Sequence, residues 1–300
     1  MGVVRSTLKP TKVSSLQDLF NVIVKYNVEG DRWFRGHNDT NFLLQPSAYR
    51  DLYTIKDRYD RPLNPQRITY YHTHGDSVFL PDGLYLETFF KFLDKENIAY
   101  DQNMDIVMKF CLAQHYGVRT PLLDWSTDAT VALFFAIDGR KDTDAALFIL
   151  NPKQLNERTI LHGKIIQTSD VVKLVDDLPV AFYAPKKDKR MCRQSGNFTA
   201  HGTNIWPLDY YRPAGEYLVK IIIPSDVCQQ IEKWLRSFGI DHDSIYVEND
   251  IKDKVAKEAQ VETEKAVQER LRQFAKEWED SSEKGNPRHI VDEFELQNLL

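Results

Sequence analysis

The sequence is short of the features that mark several large classes of protein. Its 300 residues include three cysteines, Cys111, Cys192 and Cys228, and no Cys-x-x-Cys pair. This usage predicts no disulfide framework, no zinc or other metal site, and a reducing, cytoplasmic compartment. No apolar run approaches the roughly 20 residues that span a bilayer, and the first residues lack a secretory apolar region, so we expect no membrane association.

The chain also lacks a strong excess of positive charge and a glycine-rich phosphate loop. A net charge of −5 argues against a uniformly basic nucleic-acid binder. One run is locally basic, and either attracts a phosphate-bearing ligand or nucleic acid or forms a solvated loop. This basic run consists of Lys186, Lys187, Lys189, Arg190 and Arg193.

What is present is ample material for a core, since 42% of the residues are hydrophobic and 12% are aromatic. Apolar periodicity predicts helices and strands in mixed order without regular βαβ spacing, which favours an α+β fold with a mixed, mainly antiparallel sheet flanked by helices. The predicted helices cover 84–95, 104–116, 128–138 and 250–280, with others beginning at Ser14 or Ser15 and at Ser225. The predicted strands cover 32–35, 144–150, 180–183 and 217–223, and 50–82 is predicted to be a long loop.

The last predicted helix is long, charged, and apolar along one narrow stripe. We therefore expect a main domain over 1–248 and a C-terminal helix and tail over 249–300. The stripe predicts association with another chain or with itself, and the alternative is packing on the N-terminal helix of the same chain. Its residues are Val255, Val267, Leu271, Phe274 and Trp278.

The most informative stretch is 114–136, where a polar, turn-forming segment leads directly into a strongly apolar helix. Gln114, His115 and Tyr116 come at the end of one predicted helix. Asp124, Trp125, Ser126, Thr127 and Asp128 then precede the next, where hydroxyl and carboxylate oxygens act as N-caps. These side chains are predicted to converge at the mouth of a buried helix, although a capping box with a core tryptophan explains much of the pattern.

Two further residues are candidates for chemistry. Arg35 ends an apolar strand with Gly36 behind it, so a cation with five donors stands where the backbone allows a close approach. Such an arginine suits phosphate or carboxylate, or else pairs structurally with a residue such as Asp124. His115 is either a general acid or base, or a helix-end hydrogen-bonding group.

These segments resemble the FRG domain family. The residues that carry the resemblance are 33–37 (Trp-Phe-Arg-Gly-His), 45–50 (Gln-Pro-Ser-Ala-Tyr-Arg) and the stretch 114–136, with a partial match at 193–201. Together they run from 33 to 201. One departure is clear: the family pattern Thr-Arg-Leu-Leu-Asp-Trp becomes Thr120-Pro121-Leu-Leu-Asp-Trp, with an arginine at 119 instead.

The order of elements in this family is in turn similar to that of the ADP-ribosyltransferases, which implies their fold and NAD as substrate. The resemblance implies that Arg35, Gly36 and Gln114 bind NAD, and that Tyr116, Trp125, Ser126 and Thr127 line the pocket. It assigns the late catalytic role to Gln194 or Glu216. The residue types themselves add His115 and Asp124 as further catalytic candidates.

The expected function is therefore an NAD-dependent ADP-ribosyltransferase-like enzyme of the toxin or antiphage-defence type, acting on RNA, DNA or protein. An antitoxin or another partner protein is a candidate partner. Two alternatives stay open: a non-catalytic module that binds a nucleotide or nucleic acid, and a hydrolase that uses His115 and Asp124. The single-site hypothesis predicts one cleft bounded by Arg35, Gln114, His115, Asp124, Ser126 and Gln194.

Overall fold

The computed structural model describes residues 8–27, 30–54, 81–160, 162–171, 179–185, 196–201, 207–210, 214–246 and 250–283. The described strands form one seven-stranded sheet in the order β1-β7-β4-β2-β3-β6-β5. The strands are β1 (Thr11–Lys12), β2 (Trp33–His37), β3 (Leu122–Ser126), β4 (Ala145–Leu150), β5 (Val180–Phe182), β6 (Gly196–Ala200) and β7 (Leu218–Ile223). Only β1 and β7 pair in parallel, so the sheet is mainly antiparallel as predicted.

Helices surround this sheet. In chain order they are α1 (Leu16–Tyr26), α2 (Asp82–Lys95), α3 (Ile106–His115), α4 (Ala129–Ile137), α5 (Pro152–Thr159), α6 (Thr168–Val171), α7 (Ala214–Tyr217), α8 (Ser225–Ser237), α9 (His242–Ile245) and α10 (Asp250–Glu283). A 3-10 helix, Ser47–Thr54, follows the loop after β2. The mixed α and β class is therefore confirmed.

Helices α1, α4 and α8 cover one face of the central strands. Leu19 of α1, the apolar side of α4, and Ile231 of α8 share a hydrophobic cluster with Phe34, Leu147 and other strand residues. Helix α4 lies so close to β2 that a Cβ on Gly36 would stand 1.9 Å from the carbonyl oxygen of Ala132. Because no side chain fits there, Gly36 permits the contact between strand and helix.

The other face of the sheet carries a second core. Trp33, Leu123, Trp125 and Phe148 pack there with residues of α5 and α7. Alternation along β2 then places Arg35 and His37 on the same face as Trp33. Arg35 and His37 thus lie beside the apolar residues of this second core.

Most predicted elements are present with small shifts at their ends. Ser15 caps α1, accepting a hydrogen bond from the Asp18 amide, and the predicted helix 128–138 is α4. The strands β3 and β6 and the helix α5 were not among the elements predicted from hydrophobic pattern. Most of the predicted loop over 50–82 lies outside the described residues.

The long C-terminal helix is present as α10. Its described apolar residues Val255, Ala259, Val267 and Leu271 pack in one cluster with α2. The described part of this stripe therefore packs on α2 of the same chain, and not on the N-terminal helix that the alternative named; association with another chain stays a prediction. The side chains of Phe274 and Trp278 lie outside the described residues, and the boundary between 248 and 249 stays a prediction.

Candidate functional site

Strand β2 separates from its neighbour β3 where the candidate residues lie. It pairs with β4 at five positions, from Trp33 to His37, but with β3 at one, Phe34 opposite Ser126. Beyond that pair β2 and β3 form no further backbone pairs. The Arg35 side chain instead donates a hydrogen bond to a backbone carbonyl oxygen of β3, that of Asp124. The opening between the two strands is therefore built around a guanidinium group.

Arg35 is held on two sides. Its Nη1 donates to the carbonyl oxygen of Asp124 over 2.7 Å, and its Nε donates to Nε2 of His37 over 3.0 Å. The ion pair with the Asp124 carboxylate is longer, at 3.7 Å between Nη1 and Oδ2. Within the described residues these contacts use Nε and Nη1 of Arg35, so its Nη2 amino group has donors to offer a ligand.

Burial and charge act on Arg35 in opposite directions. Burial lowers the pKa of the guanidinium, and the nearby Asp124 carboxylate raises it. An arginine stays charged despite such a shift, because its ordinary pKa lies far above neutral pH. The site thus keeps a positive charge with little water around it, since the side chain is 17% exposed.

Asp124 presents its carboxylate to solvent while being held in place. Its side chain is 62% exposed, and Oδ1 accepts a hydrogen bond of 2.6 Å from the amide nitrogen of Gln114. The side-chain oxygen Oε1 of Gln114 accepts in turn from the Thr120 hydroxyl. Helix α3 and the turn before β3 therefore orient this carboxylate beside Arg35.

His37 is the residue that sequence analysis missed. It is 6% exposed, its ring lies edge-on to Phe148, and its Nδ1 lies 3.2 Å from the carbonyl oxygen of Phe42. Burial first, and then the positive charge of Arg35, hold its pKa well below the ordinary value, with Arg50 and Lys220 adding to the effect. The available signal was the alternation of β2, which places residues 35 and 37 on one face.

Thr120 was also missed, except as a departure from the family pattern. It is fully buried, and besides its bond to Gln114 its hydroxyl accepts from the Leu122 amide. Arg119, the displaced arginine, instead pairs with Glu264 of α10 over 3.1 Å. It ties the turn to the C-terminal helix.

The polar residues after β3 serve as caps. The Ser126 hydroxyl accepts from the Asp128 amide at 3.0 Å, and the Asp128 carboxylate accepts from the Thr130 amide at 2.8 Å. Asp128 is the N-cap of α4, as its position in the sequence predicted. Thr127 is exposed between them. Ser126 also sits at the last paired position of β2 and β3, next to the opening.

Other predicted ligand-binding residues have structural surroundings. Trp125 is 2% exposed in the core and donates from its indole nitrogen to the Thr199 hydroxyl over 3.1 Å. Tyr116 packs against Phe89 in the cluster that α2 and α10 share. At Gly36, which was predicted to allow a ligand to approach the backbone, helix α4 lies against the backbone.

The predicted catalytic residues do not all converge. Glu216, on α7, forms an ion pair with Arg158, and its helix leads into β7, which is separated from β2 by β4. His115 follows Gln114, and its ring lies edge-on to Tyr116 with 5.8 Å between centroids. Gln194 and the basic run 186–193 lie outside the described residues. The structure brings together Arg35, Gln114 and Asp124, with Ser126 next to them.

A surface depression of about 540 Å³ lies elsewhere, between the turn after α3 and helix α10. Arg119, Gln260 and Glu264 are among its lining residues, whereas Arg35 and Asp124 are not. Among the described residues, no group of three or more His, Cys, Asp or Glu side chains is placed to hold a metal ion. No described helix is long and apolar enough to cross a membrane.

Comparison with known proteins identifies the segment that carries this arrangement. No curated protein and no solved structure matches the chain. A family model does match, that of the FRG domain, over residues 30–145. This range contains Arg35, His37, Gln114, Thr120 and Asp124, and it ends before the partial motif at 193–201. Residues 30–145 are therefore similar to the FRG domain, and the hydrogen-bonded group around Arg35 lies within this segment.

Proposed function

We propose that this chain is an NAD-dependent ADP-ribosyltransferase-like enzyme whose site is the opening between β2 and β3. The observation that carries the proposal is the pairing of opposite charges there. A mostly buried arginine with an available amino group lies beside an exposed carboxylate that an amide holds in place. Dinucleotide chemistry needs both, a cation for the diphosphate and an anion for the sugar.

Arg35 is proposed to bind the NAD diphosphate. Guanidinium groups match the geometry of phosphate oxygens, and a charged hydrogen bond is about twice as strong as a neutral one. The backbone of Asp124 and the ring of His37 already fix the side chain, so little conformational entropy is lost on binding. The Nη2 amino group supplies the donors.

Asp124 is proposed to stabilise the sugar as nicotinamide leaves. The bond between the ribose C1 atom and the nicotinamide nitrogen breaks, and its electron pair departs with nicotinamide. Positive charge then develops on the ribose, where an oriented carboxylate lowers the barrier. A nucleophile of the acceptor forms the new bond to C1 and releases its proton to solvent.

Three features support this assignment of roles over the earlier ones. Gln114 contacts Asp124 and acts through it, as a positioning residue. Glu216 forms an ion pair with Arg158 beyond β4, which favours Asp124 over Glu216 as the group that stabilises the sugar. A hydrolase built on His115 and Asp124 has less support, because Arg35 and Gln114 are the described partners of the Asp124 carboxylate.

A second function, ligand binding without transfer, is favoured by one observation. Both oxygens of Asp124 already have partners, Gln114 and Arg35, which is the arrangement expected of a carboxylate that only orients an arginine. In that case the site binds a nucleotide or nucleic acid through Arg35 alone. The basic run 186–193, which lies outside the described residues, was predicted from the sequence to attract the same kind of ligand.

The deciding experiment measures binding and chemistry separately. ADP-ribose affinity is measured by calorimetry, and transfer is measured with NAD carrying label on its adenylate, in a cell lysate treated with nuclease or protease afterwards. Arg35→Ala is expected to weaken ADP-ribose binding tenfold or more, about 1.4 kcal/mol. Asp124→Asn is expected to keep that affinity and lower transfer by about a hundredfold or more, as for loss of an oriented transition-state group.

Arg158→Ala is the matched control, because it removes an arginine from an ion pair outside the site. It is expected to change neither quantity. Binding that depends on Arg35 without any labelled acceptor identifies the binding module. NAD consumption without acceptor labelling, lost in His115→Ala, identifies the hydrolase, and no binding at all contradicts the proposal.

The acceptor and the toxin or antiphage role belong to the same proposal. Nuclease-sensitive label indicates RNA or DNA, and protease-sensitive label indicates protein. A partner such as an antitoxin stays a prediction from the resemblance, and co-purification with a tagged chain tests it. Association through 249–300 is tested by truncation before residue 250 and light scattering, with α10 already covered on its described face by α2.

A further inference from the structure

We propose that His37 is a positioning residue for Arg35, acting as a neutral imidazole with its proton on Nδ1. The inference rests on the proposed function in that Arg35 is taken as the ligand-binding group. It concerns a residue that neither the motif reading nor the family match assigns to any role. Four observations on the ring carry it.

The first observation fixes the tautomer. The Nε–H of Arg35 can only donate, so Nε2 of His37, 3.0 Å away, must accept and can carry no proton. The proton of the neutral ring is then on Nδ1, where the carbonyl oxygen of Phe42 lies 3.2 Å away and accepts it. Both ring nitrogens are used, and each bond requires the other.

The second observation is how firmly the ring is held. His37 is 6% exposed, and its ring packs edge-on against Phe148 and Phe42, at centroid distances of 5.1 and 6.2 Å. A ring fixed by packing and by a backbone carbonyl gives Arg35 a rigid anchor. The guanidinium is therefore oriented by His37 at Nε and by the Asp124 carbonyl at Nη1, and its Nη2 amino group takes part in neither bond.

The third observation is the charge around the ring. Burial, Arg35 on β2, Arg50 on the 3-10 helix and Lys220 on β7 lower the pKa of His37, and the hydrogen bond with the Phe42 carbonyl raises it by less than these together lower it. The nearby carboxylates act elsewhere: Asp124 on Arg35, and Asp39 and Asp209 on Lys220. The three cations and the burial therefore keep the ring neutral.

The fourth observation is what a proton would do. Protonated His37 donates from both nitrogens, so it cannot accept from Arg35 and repels the guanidinium. Arg35 then loses one of its two anchors. The site should hold its productive arginine above the pKa of His37 and release it below, so anion affinity falls by up to tenfold per pH unit in that range.

Two substitutions separate the bonds of the ring. His37→Gln can place a carbonyl oxygen near the position of Nε2, where it accepts from Arg35 but cannot titrate. His37→Asn can place an amide near Nδ1, where it donates to Phe42 but cannot reach Arg35. If His37 positions Arg35, the glutamine variant keeps its ADP-ribose affinity at pH 7.5, and this affinity depends less on pH. The asparagine variant loses about tenfold in ADP-ribose affinity both above and below the pKa of His37.

The test begins with the full chain free of ligand. Nitrogen-15 NMR of the histidine rings is expected to show an Nδ1–H tautomer for His37 at pH 7.5, assigned by its loss in His37→Gln. The Nε–H signal of Arg35 should exchange slowly at pH 7.5 and faster as His37 is protonated. An Nε2–H tautomer, or an Arg35 signal that does not change with His37, overturns the proposal.

Calorimetry with ADP-ribose as probe is the second measurement. Affinity that rises on acidification would make protonated His37 a ligand-binding cation and would also overturn the positioning role. If no ADP-ribose binds at any pH, the proposed function fails, while the NMR signals still decide whether His37 positions Arg35. Thermal unfolding of each variant at each pH separates loss of affinity from loss of fold.

Discussion

The two edges of strand β2 are built differently. Toward β4 the strand pairs at five successive positions, and the rows that run across these strands are mostly apolar. Toward β3 it pairs once, and the Arg35 side chain replaces the ladder with its own hydrogen bonds. The regular edge provides stability, and the interrupted edge provides polar groups that a continuous ladder would have excluded.

The difference also explains why the fold tolerates a buried cation. Unpaired backbone acceptors inside a protein cost about as much as a lost hydrogen bond. At the β2–β3 opening, Arg35 satisfies the Asp124 carbonyl and is itself satisfied by His37. The same side chain thus satisfies a backbone acceptor of the sheet and, with its remaining amino group, is proposed to bind ligand.

The largest expected effect is a loss of stability from a substitution in β2, where the strand contacts α4. In Gly36→Ala the new Cβ meets backbone atoms of α4, at 1.9 Å from the Ala132 oxygen and 2.5 Å from the Ala136 nitrogen. Because backbone cannot move aside as a flexible side chain does, we expect a loss of about 3 kcal/mol or more in the free energy of unfolding. Chemical denaturation monitored by circular dichroism measures it.

Gly83→Ala is the matched control for this substitution. Gly83 lies in α2, and a Cβ there meets nothing within 4 Å. Since alanine favours helix over glycine, the expected change is a gain of about 0.5 to 1 kcal/mol. Similar losses in the two variants would show that the contact between α4 and β2 is not what requires glycine at 36.

The next effect distinguishes the two contacts that Asp124 makes with Arg35. Arg35→Ala removes a charged donor from the Asp124 carbonyl and from His37, so we expect a loss of about 2 kcal/mol. Asp124→Ala removes an exposed carboxylate that lies 3.7 Å from Nη1 and accepts from Gln114, and should cost less than about 1 kcal/mol because the carboxylate is exposed. Equal losses, measured by the same denaturation, would mean that the ion pair and not the backbone contact holds Arg35.

These contacts show which part of the site the sequence could predict. The residue types and their spacing indicated Arg35, Gln114 and Asp124, because polar side chains flanking apolar elements need partners. The asymmetry of β2 could not be predicted, since strand pairing joins residues far apart along the chain. For the same reason β3 was not predicted as a strand: its sequence, Leu-Leu-Asp-Trp-Ser, is stabilised by pairing with the distant Gly196–Ala200.

The fold class was predictable from local pattern, whereas the ligand-binding assignments stay predictions. Tyr116, Trp125 and Gly36 were assigned to a ligand, and the structure gives each a scaffold contact: a ring contact with Phe89, a hydrogen bond to Thr199 and close packing on α4, respectively. Motif residues include those that build the scaffold as well as those that carry chemistry. Sequence alone does not separate the two, because a buried aromatic and a pocket-lining aromatic have the same pattern.

A smaller effect is expected from pH. The folded state holds the pKa of His37 well below its ordinary value of 6.5, so between the two values the unfolded chain binds more protons. Stability is then complete above pH 6.5 and falls as pH decreases toward the folded value, below which the loss levels off. Denaturation between pH 8 and pH 5 measures this decline.

His37→Gln serves as the control for the pH prediction, because glutamine does not titrate. The decline between pH 6.5 and pH 5 should be shallower in this variant. Asp31 and Asp241 also have lowered pKa values, but their contributions are lost only as pH falls through the range below 3.8. A variant that declines as steeply as the original chain would show that another group is responsible.

The smallest expected effect is that of a substitution at Glu216, which lies outside the β2–β3 opening. Its ion pair with Arg158 joins two side chains that are 43% and 52% exposed, a setting in which such pairs contribute about 0 to 1 kcal/mol. Glu216→Gln should therefore shift stability by less than about 1 kcal/mol and leave both ADP-ribose affinity and transfer unchanged. A large loss of transfer with intact binding would return Glu216 to the late catalytic role that the resemblance implied. The chemistry would then extend across β4 to the edge of β7, and the β2–β3 opening would be only the part of the site that holds the diphosphate.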